Sequence, residues 1–274
     1  DEMNLSHVER YFADLLSAIE SGEQIPLHSG GPRRSGDRAV PHSVTVPDNL
    51  FIVGTVNIDE TTYMFSPKVL DRANVLEFRM TSAELSAFLN DPLKPNLHKI
   101  GGEGATYGKQ FVDAARVSTE MPKRWSGDQG LFSVEMKLFF DVLGGHGAEF
   151  GFRVAHEAAR FVSLFHELTG ASGDVSMDDA FDCVIVQKFL PKLHGSRAKL
   201  GPLLKSLWFF CTKKHSDRGD NAMESSQRAA RSSDKDAEPS VAVPAHAPYP
   251  LSAHKIGRMW RLLNENGYVS FAEA

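Results

Sequence analysis

Apolar and polar positions alternate along this chain with two different periods. Leu5, Val8, Phe12, Leu15, Leu16 and Ile19 recur at helical spacing, which predicts an amphipathic helix over 5–20 that Gly22 stops. Residues 23–49 are rich in Gly, Pro, Arg and Ser, with short extended pieces at 25–28 and 43–46 that suit a hairpin or loop. Residues 50–56 form a near-continuous apolar run with β-branched members, the pattern of a strand buried on both faces of a parallel sheet. Ser66-Pro67 opens a short helix, with serine as cap and proline in the first turn, and 73–78 reads as the next strand.

Beyond Met80 the period becomes helical. A helix over 81–90 starts on the capping pattern "TSAE", and further helices are predicted over 107–117, 132–143, 154–168, 177–190 and 196–212. The stretch 213–248 has few large apolar residues and much Ser, Ala, Asp and Arg, so it reads as a disordered linker. A last amphipathic helix over 251–264 precedes "GYVSFAE", a short extended piece.

Composition changes this picture little. A chain of 274 residues with 42% apolar and 24% charged positions is long enough for a real core. The net charge of -5 gives no global sign of a nucleic-acid or membrane surface. Cys183 and Cys211 lie far apart in apolar contexts, which argues against a disulfide framework and fits a reducing cytoplasm. No apolar run reaches membrane-span length, so no membrane partner is expected. The opening "DEMN" starts on two bare carboxylates and reads as a cut end.

Two familiar chemistries fail on spacing. "GGEGATYGKQ" lacks the G-x-x-x-x-G-K-[ST] order, follows no strand, and ends on Gln110 rather than a hydroxyl for Mg²⁺, so it reads as a loop. "HEAAR" at His156 and "HELTG" at His166 begin like a zinc motif, but Arg160 and Gly170 stand where the second histidine belongs. Both histidines read as ordinary helix residues.

Three other stretches fit together. "DEMN", "GTVNIDET" and "VLDRANVLEF" resemble the second half of an AAA+ NTPase core, with the McrB-like motors of modified-cytosine restriction and defence as the nearest group. The resemblance is specific from Asp1 to about Arg79 and weaker beyond. It implies an α/β fold: the last parallel strands of a P-loop NTPase core over 1–80, then a mostly helical lid over 81–212, the linker over 213–248, and a terminal helix and tail over 249–274. It also implies hydrolysis of ATP or GTP with Mg²⁺ in a ring, hexameric in the family's manner, with a nuclease or effector subunit and with DNA held through an N-terminal domain.

The residue roles follow from the same resemblance. Asp1 would hold Mg²⁺ indirectly or through water, and Glu2 would orient or deprotonate the attacking water. Asn57 matches sensor 1, where a carboxamide beyond a strand end can donate to phosphate and accept from water. Arg72 matches the arginine that reaches into a neighbour's nucleotide; the plain reading is an ion pair with Asp71 or Asp59. Arg197 in "LPKLHGSRAKL" resembles sensor 2 on the lid, and Arg153 is a weaker candidate for the same pocket. The group's GTP users carry M-N-x-x-D where this chain has "VNIDE", and Leu5 stands where an arginine is common, so the base stays open. The chain contains no Walker A motif, so on its own it is expected to be inactive. Two rivals remain: a non-hydrolysing scaffold or interaction module, and a nucleic-acid-binding helix presenting Lys188, Lys192, Lys199 and Lys205.

Overall fold

Glycine and short caps set the boundaries in the first part of the chain. A computed structural model describes residues 1–47, 49–57, 63–92, 96–116, 129–169, 177–213 and 238–274. Two compact units emerge, one from Asp1–Val56 and Leu76–Glu120, the other from Asn57–Val75 and Met121–Ala274. Most of the expected linker, and Asp59 and Glu60, lie outside the described residues.

In the first unit the expected helix over 5–20 is divided. A 3-10 turn at Met3–Leu5 is followed by α1 (Val8–Tyr11) and α2 (Ala13–Ser21), because Phe12 leaves helical geometry at φ -102° and ψ 8°. Gly22, at φ 69°, ends α2 and returns its N–H to Ala18 O. The strands are short and antiparallel. β1 (Ile25–Pro26) pairs with β4 (Ser43–Val44), and β2 (Arg33–Ser35) pairs with β3 (Arg38–Val40) across a tight turn whose first central residue is Gly36. Later, α4 (Ser82–Asn90) carries a full capping box: Thr81 Oγ1 accepts from Glu84 N at 3.2 Å while Glu84 Oε2 accepts from Thr81 N at 2.7 Å. Two more helices, α5 (Leu97–Ile100) and α6 (Ala105–Arg116), complete the unit's described part.

The expected parallel sheet of a P-loop NTPase core is not found among the described residues. Among the described residues every strand pair is antiparallel and two-stranded. The runs 50–56 and 73–78 form no strand and join no ladder, and 50–56 is exposed throughout, with Val53 at 87%. An unbroken apolar run reads as a doubly buried strand only if neighbours cover both faces. Nothing in the run itself specifies those neighbours. The α/β assignment is therefore corrected to a mostly helical chain.

The second unit holds most of the core. A short α3 (Pro67–Leu70) follows Ser66 at its cap position and buries Val69 and Leu70. Then come α7 (Gln129–Gly144), α8 (Phe152–Thr169) and α9 (Met177–Val184). From α9 the chain widens into a π turn at Ile185–Phe189, then tightens through a 3-10 turn at Leu190–Lys192 into β5 (His194–Ser196). The final elements are α10 (Arg197–Thr212), α11 (Pro250–Asn266) and β6 (Tyr268–Ser270), which pairs antiparallel with β5. No described helix is long and apolar enough to cross a membrane.

Buried polar groups in this unit join elements rather than face solvent. Asp182 on α9 accepts from Leu251 N, Ser252 N and Ser252 Oγ, so it caps α11 from a different helix. Burial raises this carboxyl above its ordinary range, against the lowering effect of those bonds. Glu135 on α7 accepts from Tyr249 OH at 2.8 Å.

Residues 238–248 cross α11 closely. Glu238 pairs with Lys205 at 3.4 Å, Pro239 is buried, and a Cβ on Gly257 would meet Ser240 O at 2.1 Å and Ser240 C at 2.5 Å. Glycine is otherwise the poorer helix residue by about 1 kcal/mol. Gly257→Ala is therefore expected to destabilise the unit by about 1–3 kcal/mol through overpacking. Chemical denaturation checks this, and a stabilised variant would show that the segment does not cross here.

Candidate functional site

Three residues around Glu2 and two around Thr55 form the first cluster. Glu2 N donates to Thr55 Oγ1 at 3.0 Å, Met3 N donates to Thr55 O at 3.0 Å, and the Thr55 hydroxyl donates to the Asp1 carboxylate. At Gly54 the Met3 side chain fills the place of a Cβ, with Sδ 2.0 Å from where that atom would lie. The Tyr11 hydroxyl donates to Met3 O at 2.7 Å and holds the turn from the other side. Glu2 sits at φ 46° and ψ 45°, the one non-glycine at positive φ among the described residues. Such a conformation costs of order 1–3 kcal/mol and persists where surroundings impose it. The threonine of "GT" thus has a physical reading: its hydroxyl lies between the Asp1 carboxylate and the Glu2 backbone N–H.

The remaining assigned residues belong to the second unit. Asn57 is exposed, and the residues after it lie outside the described set. Arg72 is half-buried just past α3 and donates from Nη1 to Lys68 O at 2.7 Å, closing the C-terminal end of that helix. Its expected partner Asp71 instead receives the Lys192 ammonium. Arg197 is exposed and opens α10, and its backbone N–H donates to Gly267 O at 2.9 Å. A cation at a helix N-terminus opposes the dipole. The helix gains nothing from that charge.

The second cluster, which the sequence did not reveal, surrounds Arg72 along the chain. Lys188 in the π turn is 2% exposed and donates to Ala73 O at 3.1 Å, while Gln187 O accepts from Val75 N at 3.0 Å. Burial pushes the Lys188 ammonium below its usual range, Glu157 and Asp71 pull it back, and Lys192 and Arg153 add to the depression. A four-residue spacing of lysines followed by "LDRAN" far upstream carries no sign of such pairing.

These placements bear on the basic helix. Lys188 is buried, Lys192 pairs with Asp71, and Lys205 pairs with Glu238 and lies over the Trp260 ring at 5.3 Å. Lys188, Lys192 and Lys205 are engaged within the fold while Lys199 is exposed, so the four lysines do not make one solvated basic face. His156 and His166 both lie on α8, and no group of three or more metal-ligating side chains occurs among the described residues. Residues 101–104 lead into α6 and form no phosphate loop after a strand.

No curated protein and no solved structure matches this chain. A family model described as a domain of unknown function, DUF8727, matches residues 131–268, the greater part of the helical unit. That match spans half of the 274 residues, and the chain belongs to the DUF8727 family.

Proposed function

We propose that this chain contributes the hydrolytic carboxylates and a trans-acting arginine to an oligomeric nucleoside triphosphatase of the McrB-like kind, one that powers a DNA restriction or defence machine. The observation that carries the reading is the junction of Asp1-Glu2 with Thr55, 53 residues or more away, which joins the "DEMN" and "GTVN" stretches that carry the resemblance. The reading requires a phosphate loop from elsewhere in the polypeptide, since this sequence has none.

In this reading Glu2 accepts a proton from the attacking water as its oxygen bonds to the γ-phosphorus and the bridging oxygen leaves with the diphosphate. The strained backbone at Glu2 and its N–H bond to Thr55 fix where that carboxylate points. Arg72 of a neighbouring protomer meets the charge on the transferred group. Asp1 and the Thr55 hydroxyl are hard oxygen donors, and one carboxylate with no surrounding cage suits Mg²⁺, which keeps waters and phosphate oxygens as its other ligands. Bound with the nucleotide, Mg²⁺ would neutralise phosphate charge. A ring, six-membered by the resemblance, with an effector subunit and a DNA-reading domain completes the proposal.

The test is Glu2→Gln in the full-length protein. It should bind ATP or GTP as the parent does and lose roughly 10²–10⁴ in turnover, the range for a removed general base. Turnover at the parental rate would sink the assignment.

A further inference from the structure

The segment carrying Arg72 is held at three points by one short stretch of the helical unit. The Lys192 ammonium meets the Asp71 carboxylate, Lys188 Nζ donates to Ala73 O at 3.1 Å, and Gln187 O accepts from Val75 N at 3.0 Å. The first two ties fall on the residues immediately before and after Arg72, from side chains more than a hundred positions away. Ahead of them Val69 and Leu70 are buried, so α3 cannot roll without losing apolar cover. The π turn matters here. It inserts a residue into the helical repeat and shifts the phase of every side chain after it, a feature common at functional sites.

A buried lysine is a poor stabiliser. Its ammonium loses hydration, and an apolar residue of similar length would fill the same space without that cost. What Lys188 supplies that methionine could not is a directed donor to a single carbonyl beside Arg72. Lys192 supplies the matching charge on the other side. We propose that Lys188 and Lys192 are positioning residues for Arg72: they clamp residues 71–73 to the turn at 185–192, so that the guanidinium's reach is set by the helical unit. This rests on the reading of Arg72 as a trans-acting group. A shift of the helical unit would then move Arg72 with it, linking that unit's state to a neighbour's hydrolysis.

The experiment uses the full-length assembled protein with Mg²⁺ and ATP or GTP, whichever it hydrolyses. Lys192→Gln and Lys188→Met should each lower kcat by roughly ten- to a hundredfold, as a misplaced catalytic group does, with KM little changed. Lys192→Arg should recover most of the rate, because a guanidinium can still pair with Asp71. Independently of activity, hydrogen exchange at residues 71–75 should speed up in Lys192→Gln and Lys188→Met and return toward the parent in Lys192→Arg. Lys192 is partly exposed, so Lys192→Gln keeps the fold even if Lys188→Met does not. Arg72→Ala run alongside separates the failures. If it hydrolyses normally, the reading of Arg72 falls and takes this inference with it. If it is inactive while both lysine variants keep full kcat, or if their exchange is unchanged, the clamp is overturned and the reading of Arg72 stands.

Discussion

Arg72→Ala in the full-length protein should leave folding and nucleotide affinity close to the parent and cut hydrolysis by about 10³–10⁵, the usual worth of an arginine supplied across an interface. The folded-state cost is small because the guanidinium's bond to Lys68 O closes a helix of only four residues. Val69 and Leu70 are buried regardless. The rate cost is large because a fixed planar cation meets charge that develops only in the transition state. Mixing gives the discriminating result. On the proposed reading, Glu2→Gln would remove the base within one protomer and Arg72→Ala the cation offered to the next. In a mixed ring some interfaces pair an intact Glu2 with an intact Arg72, so activity should partly return. Absence of recovery at every ratio, with mixed assembly confirmed by mass, would leave Arg72 structural or acting within its own protomer.

What could be read from the sequence followed the reach of each interaction. Local signals held. The capping box at Thr81 appears with both of its bonds, helix α10 begins at Arg197, and the helices expected over 132–143 and 154–168 occur as Gln129–Gly144 and Phe152–Thr169. Each depends on neighbours within a turn or two. The expected helix over 177–190 hides a π turn, because one inserted residue barely alters an apolar pattern. The parallel sheet failed for the opposite reason. Residues 50–56 have the composition of a buried strand, but pairing depends on other segments, and here 50–56 is exposed. The candidate site divides in the same way. Asp1-Glu2 and Thr55 were associated only through resemblance to a family, while Asp71 and Lys192, 121 positions apart, carry no local mark of their partnership.

The largest stability effect should come from Phe139→Ala. On α7, Phe132, Glu135, Phe139 and Val142 recur at helical spacing and all are buried. Phe139 is 0% exposed, and its ring meets Phe181 at 5.8 Å, Phe189 at 4.9 Å and Phe210 at 5.3 Å between centroids. Those three rings come from α9, the π turn and α10, so a single side chain on α7 joins four pieces of the unit. Phe210 in turn stacks on Tyr249, whose hydroxyl reaches Glu135 on α7. Truncation removes the transfer energy of the ring and leaves a cavity that such stiff neighbours cannot close, which should cost about 3–5 kcal/mol. For a unit of this size the melting temperature should fall on the order of 10 °C. Phe152→Ala is the control: at 97% exposure it should change stability by no more than about 0.5 kcal/mol. Equal melting temperatures for the two variants would mean that the aromatic centre is not packed as described. The loss should also loosen the π turn through Phe189, so Phe139→Ala is expected to speed hydrogen exchange at 185–189 at temperatures where the unit is still folded.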